Sequence, residues 1–230
     1  MTALTATLAG RGAITIWQDA REAARADFYA WHNGEHLAER VGIPGFLRGR
    51  RYAALAGSPE FFTLYETIDP DVHTGPDYLA RLNSPTDTTR RVAPQMVNNV
   101  RSLCRVEWTR GTLAGGLACT LRFDATEEAA PGLREWLCAG PLPALLDEPG
   151  ASAAHLCVAD AVASSVKTAE KKDRPVAARV PGWVVIVEGA ADREALEAAV
   201  DRHLAAAALA ERGARDLERG LYRLQAWLAR

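Results

Sequence analysis

Residues 28–40 read Phe-Tyr-Ala-Trp-His-Asn-Gly-Glu-His-Leu-Ala-Glu-Arg, with two histidines, a glutamate and an asparagine inside five positions. Such a run can move protons. An imidazole with its ordinary pKa near ~6.5 takes up and returns a proton at neutral pH, and a neighbouring carboxylate can orient it. His36 is the candidate general acid/base, Glu35 its candidate carboxylate and His32 a candidate substrate contact. On a helix, His32 and His36 share one face, with Arg40 one turn on. The competing reading of each is a helix end where a histidine bonds a loop carbonyl or Glu35, and Glu35 pairs with Arg40 or Arg50. The same string fits H-x-x-E-H, in which two histidines hold zinc and the glutamate is the base; Glu107 would then be a third ligand. Further on, Arg48, Arg50 and Tyr52 alternate onto one face of a strand, and Leu47, Gly49 and Arg51 onto the other. Arg50 and Tyr52 are candidates to bind a carboxylate or phenolate, because a guanidinium offers paired donors. The alternative is a solvated face of salt bridges. Trp17, Tyr65 and Glu66 are candidate pocket wall, with aromatic core as the competing role for the rings, and Trp31 reads as core.

These side chains need elements to position them. Hydrophobic periodicity predicts a strand over 13–19, a helix over 21–40, strands over 46–54 and 61–67, a helix over 77–82 that resumes after Ser84-Pro85 to about 92, and a strand over 100–109. Gly34 is out of place inside such a helix, at ~1 kcal/mol relative to alanine. The second half predicts the same order: strand 117–123, helix 127–146, strands 153–161 and 183–188, helix 192–212, strand 220–228. Setting Trp31 on Trp136 also brings Leu37 onto Leu142 and Pro44-Gly45 onto Pro149-Gly150 without a gap. Leu64-Tyr65-Glu66 then matches Ile186-Val187-Glu188 after an insertion at 166–182.

The pattern is βαββαβ twice, the ferredoxin-like unit. Each unit leaves one sheet face bare, and two such sheets facing each other make an α+β barrel within one chain. The expected units are 1–112, carrying the site, and 113–230, with Gly115-Gly116 as the hinge between them. Opposite His32, Asn33, Glu35, His36 and Arg40, the second unit has Leu137, Cys138, Gly140, Pro141 and Leu145. The scaffold residues persist and the polar set is lost, so the polar set is not needed for the fold.

Composition narrows the function. With 27 basic and 29 acidic residues in 230, the chain lacks the basic face of a nucleic-acid binder. Apolar runs such as 183–187 fall far short of the ~20 residues that span a bilayer. The first residues have no basic start or long apolar stretch, so a cytoplasmic protein is expected. Cys104, Cys119, Cys138 and Cys157 are widely spaced and read as reduced thiols. All three lysines, Lys167, Lys171 and Lys172, sit in the 166–182 insertion, which reads as a solvated loop or a lid.

Phe28, Trp31 and His36, then Pro44, Gly45 and Phe46, then Arg50, Arg51 and Tyr52 together resemble the EthD-like branch of the dimeric α/β-barrel superfamily, over roughly residues 12–110. The resemblance implies a small-molecule enzyme, with no cofactor expected. Its chemistry would be isomerisation, cyclisation, dehydration or decarboxylation of an apolar oxygenated or aromatic compound. A non-catalytic small-ligand-binding barrel is the alternative. Zinc is a more distant reading, as is haem held by His155 or His203. The expected partner is a small molecule, with neither nucleic acid nor membrane, in a monomer or homodimer.

Overall fold

A computed structural model describes residues 8–111, 113–166, 168–169 and 179–230. Its strands are β1 (Gly12–Ala20), β2 (Phe46–Ala56), β3 (Phe61–Thr67), β4 (Met96–Gly111), β5 (Leu117–Ala125), β6 (Ala153–Ala159), β7 (Trp183–Gly189) and β8 (Ala214–Ala229). They close into one antiparallel barrel in the order β1-β3-β2-β8-β5-β7-β6-β4. The four strands of each half form the ferredoxin-like order, and the halves join where β2 meets β8 and β4 meets β6. Closure leaves no free strand edge.

Helical segments cover the outside. In the first half they are α1 (Arg25–Trp31), a π-helical turn (His32–His36), α2 (Leu37–Val41), α3 (Pro76–Asn83) and α4 (Asp87–Val92). In the second half they are α5 (Ala130–Ala139), α6 (Pro141–Leu145), α7 (Ala161–Ser165), α8 (Arg193–His203) and α9 (Ala206–Glu211). The helix expected over 192–212 is therefore broken at Leu204 and Ala205, and its apolar side (Leu196, Ala199, Val200, Leu209) packs on its own sheet.

The fourth strands run longer than expected because each binds two neighbours: β4 pairs with β1 and β6, and β8 with β5 and β2. Their early residues bend at Asn98 and Asp216, both at positive φ, a conformation that Asn and Asp tolerate. These two residues occupy matching positions in the two halves, opposite register shifts in β1 and β5.

Gly115 does not behave as a loose hinge. A Cβ there would lie 2.1 Å from the Gly189 carbonyl oxygen, and at Gly10 it would lie 2.0 Å from that of Thr67. Both glycines let the chain press onto the same end of the barrel. The described ends of the 166–182 insertion dock on the first half. Arg179 bridges Val100, and Ser102 Oγ donates to the Pro181 carbonyl, while just before the insertion Ala163 of α7 joins the first half's apolar cluster. Lys167, Lys171 and Lys172, and with them the lid reading, lie outside the described residues.

Candidate functional site

Strand alternation sorts the candidate residues onto two sides of one sheet. Trp17, Arg50 and Tyr52 point into the barrel, with Glu66 beside them, whereas His32, His36 and Tyr65 lie in the outer layer between sheet and helices. The set named from sequence is therefore two separate clusters.

The inner cluster is a closed ionic network at the end of the barrel where Gly10 and Gly115 pack. Arg48 grips Glu66 with two bonds, Nε to Oε1 at 2.8 Å and Nη2 to Oε2 at 2.7 Å. Arg50 links the halves, reaching Glu66 at 3.0 Å and Glu188 at 2.8 Å. His155, the counterpart of Arg50, lies 3.1 Å from Glu188 through Nε2 and 2.8 Å from Thr109 Oγ1 through Nδ1. Backbone N–H groups of Ala9 and Gly115 complete the two carboxylates at 2.7 and 2.9 Å. Burial raises the Glu188 pKa, but the His155 bond and the Arg50 charge outweigh it and hold the carboxylate at about 2. Tyr52, pushed up by burial, stays a neutral phenol. Every carboxylate oxygen here is already occupied by the protein, so the network reads as a brace.

The outer cluster is different. Around Gly34 the helix widens into a single π turn, a feature frequent at functional sites. His32 and His36 are both buried on it, their rings 5.6 Å apart, with the Trp31 ring tilted against His36 at 4.1 Å. In the second half the same stretch ends α5 at Ala139, and α6 starts anew at Pro141. Below the π turn, Gln18, Arg51, Thr63 and Tyr65 rise from the helix-facing side of the sheet, with Thr63 flanked by Ile16 on β1 and Arg51 on β2. Strand registers give their counterparts as Phe123, Leu156, Val185 and Val187. With Leu137 and Pro141 in place of the histidines, the second half's layer is an apolar cluster.

Three buried polar atoms in this layer, Gln18 Oε1, His32 Nδ1 and Thr63 Oγ1, have no partner among the described residues. Each such group costs the fold about 1–3 kcal/mol. His32 is only 2% exposed; burial and then the Arg51 charge lower its pKa to about 3, so the ring is neutral at any ordinary pH. Arg51 is held by Asn33 at 2.7 Å and Gln225 at 3.2 Å and lies over the Phe28 and Tyr29 rings. His36 Nδ1 stands 3.7 Å from Glu39, whose carboxylate also carries Arg40 at 3.1 Å and Arg81 at 3.0 Å. Glu39 and Arg81 line an open groove of about 540 Å³ between α2 and α3.

Glu35 lies apart from this chain of contacts: its Oε1 accepts from Thr86 Oγ1 at the start of α4. Glu107 pairs with Arg134 at 3.7 Å and His203 with Glu148 at 2.8 Å. Among the described residues, no group of three or more His, Cys, Asp or Glu side chains is placed to hold a metal ion. No described helix is long and apolar enough to cross a membrane.

Gln18, Glu39 and Thr63 were not singled out from sequence, and Arg51 was named only on the face opposite Arg50 and among the residues that carry the resemblance, not as a site residue. The signal was available: extending the comparison of halves from the helix to the strands exposes three of the four as polar-for-apolar exchanges.

No family model matches the chain, and no curated protein does. Solved structures do. An anthrone oxidase-like protein superposes with a TM-score of 0.62 at 9% identity, covering 98% of this chain and 96% of its own. A monooxygenase-like protein of Fusobacterium nucleatum gives 0.60 at 9% identity, with 96% of each chain covered. A chlorite dismutase-like protein gives 0.53 at 12%, covering 94% and 96%. Identities this low speak for architecture alone. The closed eight-stranded antiparallel barrel is that of the dimeric α/β-barrel class, here completed within one chain.

Proposed function

We propose that the chain is a tandem fusion of two ferredoxin-like units, 1–112 and 113–230, whose first unit is a small-molecule enzyme of the EthD-like type. The reaction is cofactor-independent acid/base chemistry on an apolar, oxygenated or aromatic compound held between the π turn and the sheet. One observation carries this reading: buried polar groups without partners fill the first half's helix–sheet layer, where the second half is apolar throughout. A helix–sheet layer that bears such groups in one half and not in the other is giving up stability for a ligand.

Each residue has a task that its surroundings support. Phe28, Trp31 and Phe61 supply an apolar wall for a ring. His32, kept neutral, and Thr63 supply hydrogen bonds to a substrate oxygen, and Arg51 supplies a fixed positive charge for an enolate or phenolate as it forms. His36 moves the proton. Glu39, in place of Glu35, steadies the resulting imidazolium from 3.7 Å and connects it to the groove at the surface. Arg50, Tyr52 and Trp17 brace the sheet from its other side. A barrel that closes within one chain needs no second copy to bury its sheets, so a monomer suffices.

The test is turnover of a panel of phenols, hydroxyquinones and cyclic diketones followed by mass spectrometry. His36→Ala is expected to lose about 10²–10⁴-fold in kcat while still binding the probe that the native protein converts. Unchanged turnover in His36→Ala would refute the mechanism. A native protein that binds a probe and leaves it chemically intact would make the chain a binder instead.

A further inference from the structure

The far end of the barrel interior holds a second buried guanidinium, in an arrangement unlike that of Arg50. Arg122 on β5 is 1% exposed and lies 4.9 Å over the Trp17 ring. Its Nη2 donates to the Ser58 carbonyl at 2.8 Å and to Glu218. Its Nε and Nη1 are buried with no partner among the described residues. Arg50 also has two nitrogens, Nε and Nη2, without a hydrogen-bond partner among the described residues, but it sits between two buried carboxylates, whereas Arg122 has one, on a Glu218 side chain that is 44% exposed and shared with Arg179. Trp17 and Arg122 occupy matching positions on β1 and β5, so the barrel accepts an uncharged ring at this register and does not itself demand an arginine. Around the guanidinium the walls are aromatic: Trp17 stacks on Phe62 at 4.9 Å, and Phe62 meets Tyr222 at 5.6 Å. The neighbouring polar groups are already engaged, Trp17 Nε1 with Thr120 and Tyr222 Oη with the Pro59 carbonyl.

We propose that this end of the barrel is a second ligand site, separate from the helix–sheet layer, that takes a small aromatic carboxylate. The carboxylate oxygens supply the acceptors that Nε and Nη1 lack, in a charge-assisted contact, and the ring lies among Trp17, Phe62 and Tyr222. Glu218 is the gate: being half exposed, it swings into water and leaves Arg122 to the incoming anion, while Arg179 retains Asp124 as a partner. No residue of the proposed acid/base machinery takes part, so this site stands or falls independently of that reaction.

The experiment is calorimetric titration of the intact chain with benzoate, alongside acetate to isolate the contribution of the ring. Benzoate is expected to bind at least tenfold tighter than acetate, His32→Leu to leave its affinity unchanged, and Arg122→Met to weaken it at least tenfold. Ligand-free Arg122→Met gives up the Nη2 bonds to Ser58 and Glu218 together with the partnerless Nε and Nη1, so the two effects offset and its melting temperature is expected to stay close to that of the native chain. In parallel, the Arg122 Nε–H resonance of the native protein should shift on adding benzoate, a readout that needs no variant to fold. Equal benzoate affinity in Arg122→Met, or an Nε–H resonance that does not move, would overturn the proposal. So would a clearly lower melting temperature in Arg122→Met, which would make the guanidinium a structural strut to Ser58.

Discussion

Arg50→Met is expected to destabilise the fold by about 3–5 kcal/mol, the usual penalty for removing one member of a buried ion pair. The guanidinium is 2% exposed on its side chain and is the direct ionic link between the Glu66 of one half and the Glu188 of the other. Its loss leaves Glu66 with Arg48 and the Ala9 N–H, but leaves Glu188 with only a histidine and one backbone donor. Glu188 bears the larger burden, so Arg50→Met/Glu188→Gln should recover part of the loss although it removes more charge. Against a typical net stability of about 5–15 kcal/mol, the single change is large. Urea denaturation followed by circular dichroism reads it as a lower midpoint at unchanged slope. A midpoint within experimental scatter of the native one would show that the network is not a brace between the halves.

Acid should weaken this protein well before its carboxylates titrate, and His32 should account for much of that. The ring has a folded pKa of about 3 against 6.5 when unfolded. Below pH 6.5 the unfolded chain therefore binds a proton that the folded chain refuses, and stability falls as pH drops from 6.5 toward 3. The full effect is about 5 kcal/mol at ~1.4 kcal/mol per pH unit. His73, lowered to about 4 by burial and by Arg101, acts in the same direction. Glu188 adds to the loss below pH 4.5, as its depressed folded pKa requires. Between pH 6.5 and 4.5 His32 and His73 each add about 1.4 kcal/mol per pH unit to the slope, so His32→Leu should lower the slope by about that amount. Denaturation midpoints at half-unit pH steps measure this. Parallel curves for the two proteins would mean that His32 reaches solvent and is not the buried neutral ring described above.

The fold was legible because its signals are local and appear twice. Pro44-Gly45 and Pro149-Gly150, the two tryptophans and the alternating apolar strands place β1–β3 and β5–β7 close to their observed limits. The fourth strands were cut short because their first residues are polar and bent at Asn98 and Asp216, where tertiary pairing overrides local pattern. The candidate site was half legible. The comparison of halves found the polar helix, and Gly34 marked the turn that becomes π-helical. The face to which each strand residue belongs was the missing step. Arg50 and Arg51 are neighbours in sequence yet lie on opposite sides of the sheet, and the arginine that faces His32 is Arg51. Glu35 and Glu39 could not be separated by spacing alone, since both are one turn or less from His36; the contacts of Thr86 and Arg81 decide between them.

On the proposed reading, the first half's helix–sheet layer carries partnerless polar groups for a ligand at the expense of the fold. His32→Leu/Thr63→Val gives it the residues that the second half already uses at Leu137 and Val185. Equilibrium urea denaturation at pH 7.0 without ligand should show the double variant more stable than the native chain by about 1–3 kcal/mol. A double variant less stable than the native chain would mean that His32 and Thr63 serve the fold, and the layer would then be no site at all.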